Sequence, residues 1–341
     1  MPALQPLQSL GFLLAGYAVL GNDALQTLGP FLAGNRGRVP RPWQALFLCT
    51  VLCAVLLLGW RTGQGDPAWG RLAAVGLPEP FGWPDLLPAL AVLGLTRWGL
   101  PVSTSFLLLT AFAPASLGGM VLRSLAGYGL AFLLGLMVYG ALAWLLERPA
   151  AGAVPTTAVS GSGEGGAGAW LALQWLATGW LWSQWLIQDL ANVYVYLPRR
   201  LPATTMVLSL TALCLGVGLL VALGGGPIQA LLSSKRNGGE PRSTTLIALL
   251  FGLILFGLAR LIHTPLSTTW VFLGLLGGRE AALTWRLGAA GGNEGAADSS
   301  PEETAGAGLL STLTGDLLKA GAGLVISVAV ALLVPLLKAR I

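Results

Sequence analysis

The sequence predicts an all-α polytopic membrane protein made of two inverted repeats, with broken helices and re-entrant helical hairpins. Three observations carry that prediction. Of 341 residues, 55% are hydrophobic and only 10% are charged, against about 25% charged in an average soluble domain. Several apolar runs exceed the roughly 18 residues that suggest a membrane span. An Asp–amide signal followed by a Pro-x-Ser-Thr signal then occurs twice, in the same order. The steps from Asp23 to Pro101 and from Asp189 to Pro265 are 78 and 76 residues.

Residues 7–32 form the first apolar run, broken near its middle by Gly21-Asn22-Asp23. A basic loop with Arg36, Arg38 and Arg41 follows. Residues 43–60 are a clean span with Trp43 and Trp60 at its ends, as interfacial anchors require. A loop rich in Gly, Pro and charge leads to residues 85–113. That run consists of two apolar pieces joined at Gly99-Leu100-Pro101-Val102-Ser103. Each piece is short for a crossing of about 20 residues. Pro opens the second piece and Ser103 caps it, so a re-entrant hairpin, or else one discontinuous span, is expected. Residues 120–146 make an ordinary span.

A Gly/Ser-rich linker, residues 149–168, then separates a first transmembrane repeat (1–148) from a second (169–341). The second repeat restarts the order. Residues 170–197 carry Gln188-Asp189 inside an apolar run, and residues 204–223 are a clean span. Residues 245–276 are two pieces joined at His263-Thr264-Pro265-Leu266-Ser267, residues 288–306 an acidic Gly-rich loop, and residues 309–337 the last span. If each two-piece run crosses, each half crosses four times and the halves are parallel; if each run is a hairpin, each half crosses three times and the halves are inverted, the preferred reading. The basic loops at 36–41 and 235–242 then share one side, while Arg199 and Arg200 lie opposite.

The net charge of +5 sits mostly in loops and excludes nucleic-acid binding as a function class. Cys49, Cys53 and Cys214 lie in apolar runs and are expected to be small buried hydrophobes. His263 is the single histidine, which removes His/Cys metal patterns. The N-terminus lacks a basic n-region, so no removable signal peptide is expected.

A carboxylate at mid-bilayer costs at least about 2.5 kcal/mol, so Asp23 and Asp189 are functional candidates. An Asp beside an amide offers one charged and one neutral oxygen, which suits Na⁺ when broken-helix carbonyls complete the shell. Protonation of the same carboxylates would give proton coupling. Each Asp could instead simply cap a half-helix. The Ser-Thr-Ser stretch at 103–105 and the Ser-Thr-Thr stretch at 267–269 open half-helices, whose free N–H groups attract anions. Their hydroxyls suit a small tetrahedral oxyanion. Helix capping by Ser103 and Ser267 alone is the plainer account. Arg97 and Arg260 precede the two motifs and could meet a phosphate, but snorkelling to the interface is the plainer role.

These residues resemble the inorganic phosphate transporter (PiT) family. Its signature pairs a Gly-Ala-Asn-Asp-Val-Ala-Asn segment with a Gly-Leu-Pro-Val-Ser-Thr-Thr-His segment, each occurring twice. Gly21-Asn22-Asp23-Ala24-Leu25-Gln26 and Gln188-Asp189-Leu190-Ala191-Asn192 resemble the first. Gly99–Phe106 and Pro265–Trp270 resemble the second. Gln26 and Gln188 stand where the family has Asn, Ser105 where it has Thr, and Phe106 and Trp270 where it has His. The resemblance implies a symporter of inorganic phosphate coupled to Na⁺ or H⁺, with no other cofactor and no enzymatic activity. It implies anion contacts from Ser103, Thr104, Ser105, Ser267, Thr268, Thr269, Asn22 and Gln188, and Na⁺ contacts from Asp23, Gln26, Asp189 and Asn192. A homodimer in a bacterial inner (plasma) membrane is the matching expectation. Transport of sulfate or another small oxyanion, and a non-transporting divergent relative, are the alternatives. An intramembrane aspartyl protease would use the two Asp but leaves both Pro-x-Ser-Thr motifs without a task.

Overall fold

The structure is a computed structural model. It describes residues 5–73, 75–77, 80–98, 103–146, 164–224, 241–261, 267–291 and 301–338. Most of the linker at 149–168, the basic segment 235–240, and His263 lie outside the described residues. Among the described residues all regular structure is helical.

The first half begins with α1 (Pro6–Val19), a π-helical segment (Leu20–Ala24) and α2 (Leu25–Gly34). It continues with α3 (Arg41–Thr62), α4 (Leu87–Arg97), α5 (Thr104–Phe112) and α6 (Leu117–Leu146). The second half repeats the order. It has α7 (Glu164–Gln188), a 3₁₀ segment (Leu190–Tyr196), α8 (Ala203–Ala222), α9 (Pro241–Leu261), α10 (Thr268–Gly291) and α11 (Pro301–Lys338). Both Asp motifs therefore fall where α-helical geometry lapses. The lapse is a one-turn π-bulge at Asp23 and a tightened 3₁₀ stretch after Asp189.

Inversion follows from side-chain contacts at the two ends of the bundle. At one end, the Tyr196 ring packs 6.1 Å from Phe81 and 5.1 Å from Phe112, and faces Gly11 of α1. Asp85, just before α4, meets Lys338 at the end of α11 at 2.9 Å. At the other end, Asn35 after α2 donates to Gln174 of α7 at 3.2 Å and accepts from Trp175 at 2.9 Å. So α1 starts at the Tyr196 end and α7 starts at the Asn35 end. Each first helix runs parallel to the helix that opens its hairpin. Ala18 of α1 packs with Val92 and Leu95 of α4, and Gln188 of α7 donates to the Leu255 carbonyl of α9 at 2.7 Å.

The α4–α5 unit is a re-entrant hairpin, as the short apolar pieces predict. Its start at Leu86 and its finish at Phe112 both reach the Tyr196 cluster, while Thr104 at the N-terminus of α5 reaches Asp23. At 11 and 9 residues, and about 1.5 Å of rise per residue, neither arm crosses about 30 Å of hydrocarbon. The matching α9–α10 unit opens toward the Asn35 end. Phe251 of α9 lies 5.3 Å from Phe272 of α10.

Four helices among the described residues are long and apolar enough to span a bilayer, in α3, α6, α8 and α11. They are the same two positions of each half. No more than 39% of each span's apolar window is buried inside the chain, so the rest faces outward. Leu122, Leu176, Leu208 and Leu215 are exposed, a surface that only lipid covers favourably. The protein is an integral membrane protein.

One seam joins the halves more tightly than pattern alone predicts. A Cβ at Gly274 would meet the Tyr128 carbonyl, at Gly278 the Phe132 carbonyl, and at Gly135 the Leu275 carbonyl. Helices α6 and α10 thus pack backbone to backbone through small residues, Gly135 on one helix and Gly274 and Gly278 on the other, with Gly127 against the Val271 side chain. This seam carries α10 on to Gly291, past residue 288, where the sequence pattern places a loop. The cysteines are a second departure. They are half-buried, and they gather between α3 and α8, with Cys53 Sγ 3.6 Å from Cys214 Sγ.

Candidate functional site

The π-bulge turns Asn22 and Asp23 inward, and both are buried. Thr27 donates to the Asp23 carbonyl at 3.4 Å and closes the bulge. The α5 N-terminus faces this point. Ser103 caps it, accepting from the Phe106 N–H at 3.2 Å. Thr104 donates its N–H to Asp23 Oδ2 at 3.1 Å, and its hydroxyl donates to the same oxygen. A carboxylate at a helix N-terminus gains from the free N–H groups and the local dipole.

The second half reproduces this with its own residues. Ser267 caps α10, accepting from the Trp270 N–H at 3.3 Å. Thr268 donates its hydroxyl to Asp189 Oδ2. Thr269 then crosses between repeats and donates to Asp23 Oδ1 at 3.4 Å. The Ser267 N–H donates to Ser124 of α6 at 3.1 Å, which ties this hairpin tip to the first half as well. All four motifs therefore converge on one buried centre. Hydrogen bonds to an ionised group contribute about 1.5–3 kcal/mol each, and they offset the cost of holding carboxylates away from water.

The amides divide their tasks. Gln188 turns its side chain to α9, and Asn192 donates to the Gln188 carbonyl at 2.9 Å. Both brace the helix break. The side chains of Gln26 and Ser105 lie outside the described residues. Phe106 and Trp270 are buried, and Trp270 packs edge-on to Tyr128 at 6.0 Å. Arg97 is exposed, in line with snorkelling. Trp182 and Trp185 stack 4.9 Å apart in the core and serve packing.

Two participants escape sequence reasoning. Ser124 sits in an ordinary span with no motif around it. Arg71 lies in the loop after α3, yet its guanidinium reaches the Gln188 carbonyl at 3.4 Å, beside Asp189. Its one signal in the sequence is an isolated cation near Trp69 and Leu72.

In membrane proteins built from inverted repeats, broken helices and half-helix N-termini that meet between the repeats form the substrate and ion sites of secondary transporters. A solved structure titled "The sodium-dependent phosphate transporter" shares this fold. It aligns with a TM-score of 0.58 over 96% of this chain and 98% of its own, at 14% sequence identity. No family model matches the chain, and no curated protein matches it in sequence.

Proposed function

We propose that the protein is a symporter of inorganic phosphate, driven by Na⁺ or H⁺, and a divergent member of the inorganic phosphate transporter family. The observation that carries this reading is the Thr269–Asp23 bond. It joins the hydroxyl motif of one repeat to the carboxylate of the other, within a centre built from both. The whole-length likeness to a sodium-dependent phosphate transporter supports the same choice.

The donors and acceptors fit both cargoes. A Thr hydroxyl both donates and accepts. Thr104, Thr268 and Thr269 donate to the carboxylates as they stand. With a cation on Asp23 or Asp189, the same hydroxyls are released toward an oxyanion at the two helix N-termini. Cation and anion sites thus strengthen one another through shared side chains. Moving an anion toward a negative interior costs about 2.3 kcal/mol per charge per 100 mV, and the co-transported cations offset that charge. Alternating access rocks the hairpins against the spans about this fixed centre. No other cofactor is invoked. We place the protein in a bacterial plasma membrane, with a homodimer as the assembly.

The test is uptake of radiolabelled phosphate into proteoliposomes under an imposed Na⁺ gradient, then a proton gradient, with sulfate as competitor. The reading predicts uptake driven by one gradient and resistant to sulfate. Phosphate can donate from its own OH to a carboxylate, which sulfate cannot. Uptake suppressed by sulfate at equal concentration points to a broader oxyanion transporter. No uptake from folded protein under either gradient contradicts symport.

A further inference from the structure

We propose that Arg71 is a substrate-binding residue, meeting the transported oxyanion at the Asp189 half of the site from the Tyr196 end. This rests on the oxyanion-transport reading above.

The loop that carries Arg71 is built, not loose. Asp66 accepts from the Ala68 and Gly70 N–H groups, each at 2.8 Å. Arg71 donates its own N–H to the Ala68 carbonyl at 3.0 Å. Ala68 and Leu72 are fully buried. Leu201 donates to the Gly65 carbonyl at 2.8 Å, and Arg199 holds the Val75 carbonyl at 2.9 Å. The backbone on both sides of Arg71 is therefore fixed against the second half.

The side chain is then directed inward. Its Nη2 donates to the Gln188 carbonyl, the last turn of α7, at 3.4 Å. That bond is long, and it uses one of five guanidinium donors. The Nε–H is shut off from solvent and has no acceptor among the described residues. Asp189 is close enough to interact with the guanidinium electrostatically, while its Oδ2 is taken by Thr268. A cation at a helix C-terminus is favourable in itself, and capping α7 accounts for the Nη2 contact. It does not account for a desolvated Nε–H, which costs about 1–3 kcal/mol if left unmet. An oxyanion between the α10 N-terminus and Arg71 would satisfy it. Guanidinium also matches tetrahedral oxyanions through its planar fork of donors.

The experiment measures phosphate KM and half-saturation by the driving ion, Na⁺ or H⁺, in proteoliposomes for wild type, Arg71→Gln and Arg71→Lys. Expected is a rise in phosphate KM of about tenfold or more for Arg71→Gln. Arg71→Lys, which keeps the charge but loses the fork, should fall between. Half-saturation by the driving ion should stay near wild type when read at saturating phosphate. A fall in maximal rate with KM unchanged means that Arg71 only caps α7, and overturns the proposal. If Arg71→Gln does not fold, Arg71→Lys decides alone: a wild-type KM overturns it. Wild-type uptake with no KM change in either variant removes the Arg71 role and leaves the transport reading standing. Absence of wild-type uptake of phosphate and of sulfate removes both.

Discussion

Lys338 places its Nζ 2.9 Å from both oxygens of Asp85, whose side chain is 2% exposed. That pair links the last helix to the start of the first hairpin. Removing one partner of a buried pair costs about 3–5 kcal/mol, and less here because Lys338 is 28% exposed. Asp85→Asn should therefore cost about 2 kcal/mol and lower the melting temperature in detergent by several degrees. An unchanged melting temperature would contradict a structural role for the pair. At this scale the sequence is informative about Asp23, Asp189 and the Ser-Thr pairs, because charge inside an apolar run is costly and conspicuous. It is silent about Arg71 and Ser124. A cation in a polar loop and a serine in a span are ordinary, and only tertiary structure brings them to the centre. The amides are legible as motif members but not in their task. Gln188 and Asn192 also brace the break, donating from their amide nitrogens to the Leu255 and Gln188 carbonyls, a task that their motif does not announce.

The elements that matter most are the two hairpins and the seam beneath the second. Interruptions by Pro and the brevity of the α4 and α5 pieces reveal the first hairpin, since arms of this length cannot cross. The second is less plain, because α10 continues to Gly291 along α6. The Gly274 and Gly278 spacing records that seam, and it depends on contact between distant segments that no local period announces. Gly278→Val would drive a Cβ into the Phe132 carbonyl, which is backbone and cannot swing aside. The variant should lose folded protein in size-exclusion chromatography, at a cost of about 3 kcal/mol or more. Gly257→Ala, at a position with open space around it, should retain folded protein. Equal yields of folded protein from both would contradict the close packing of α6 on α10.

Across the whole molecule, the halves run in opposite senses and enclose one centre. That arrangement makes a topological prediction. Single cysteines placed at Gln5 and Arg200, in a background lacking Cys49, Cys53 and Cys214, should label with an impermeant thiol reagent from the same side of the membrane. A cysteine at Arg36 should label from the other. Labelling of all three from one side would contradict inversion. The claim on which everything else depends is that Asp23 and Asp189, one from each half, form a single coupled site. It is tested most directly by gradient-driven phosphate uptake in Asp23→Asn and Asp189→Asn, each shown to be folded. The account predicts loss of coupled uptake in both, since each amide keeps the shape but removes the charge that draws the cation. Coupled uptake that survives in both variants would contradict it.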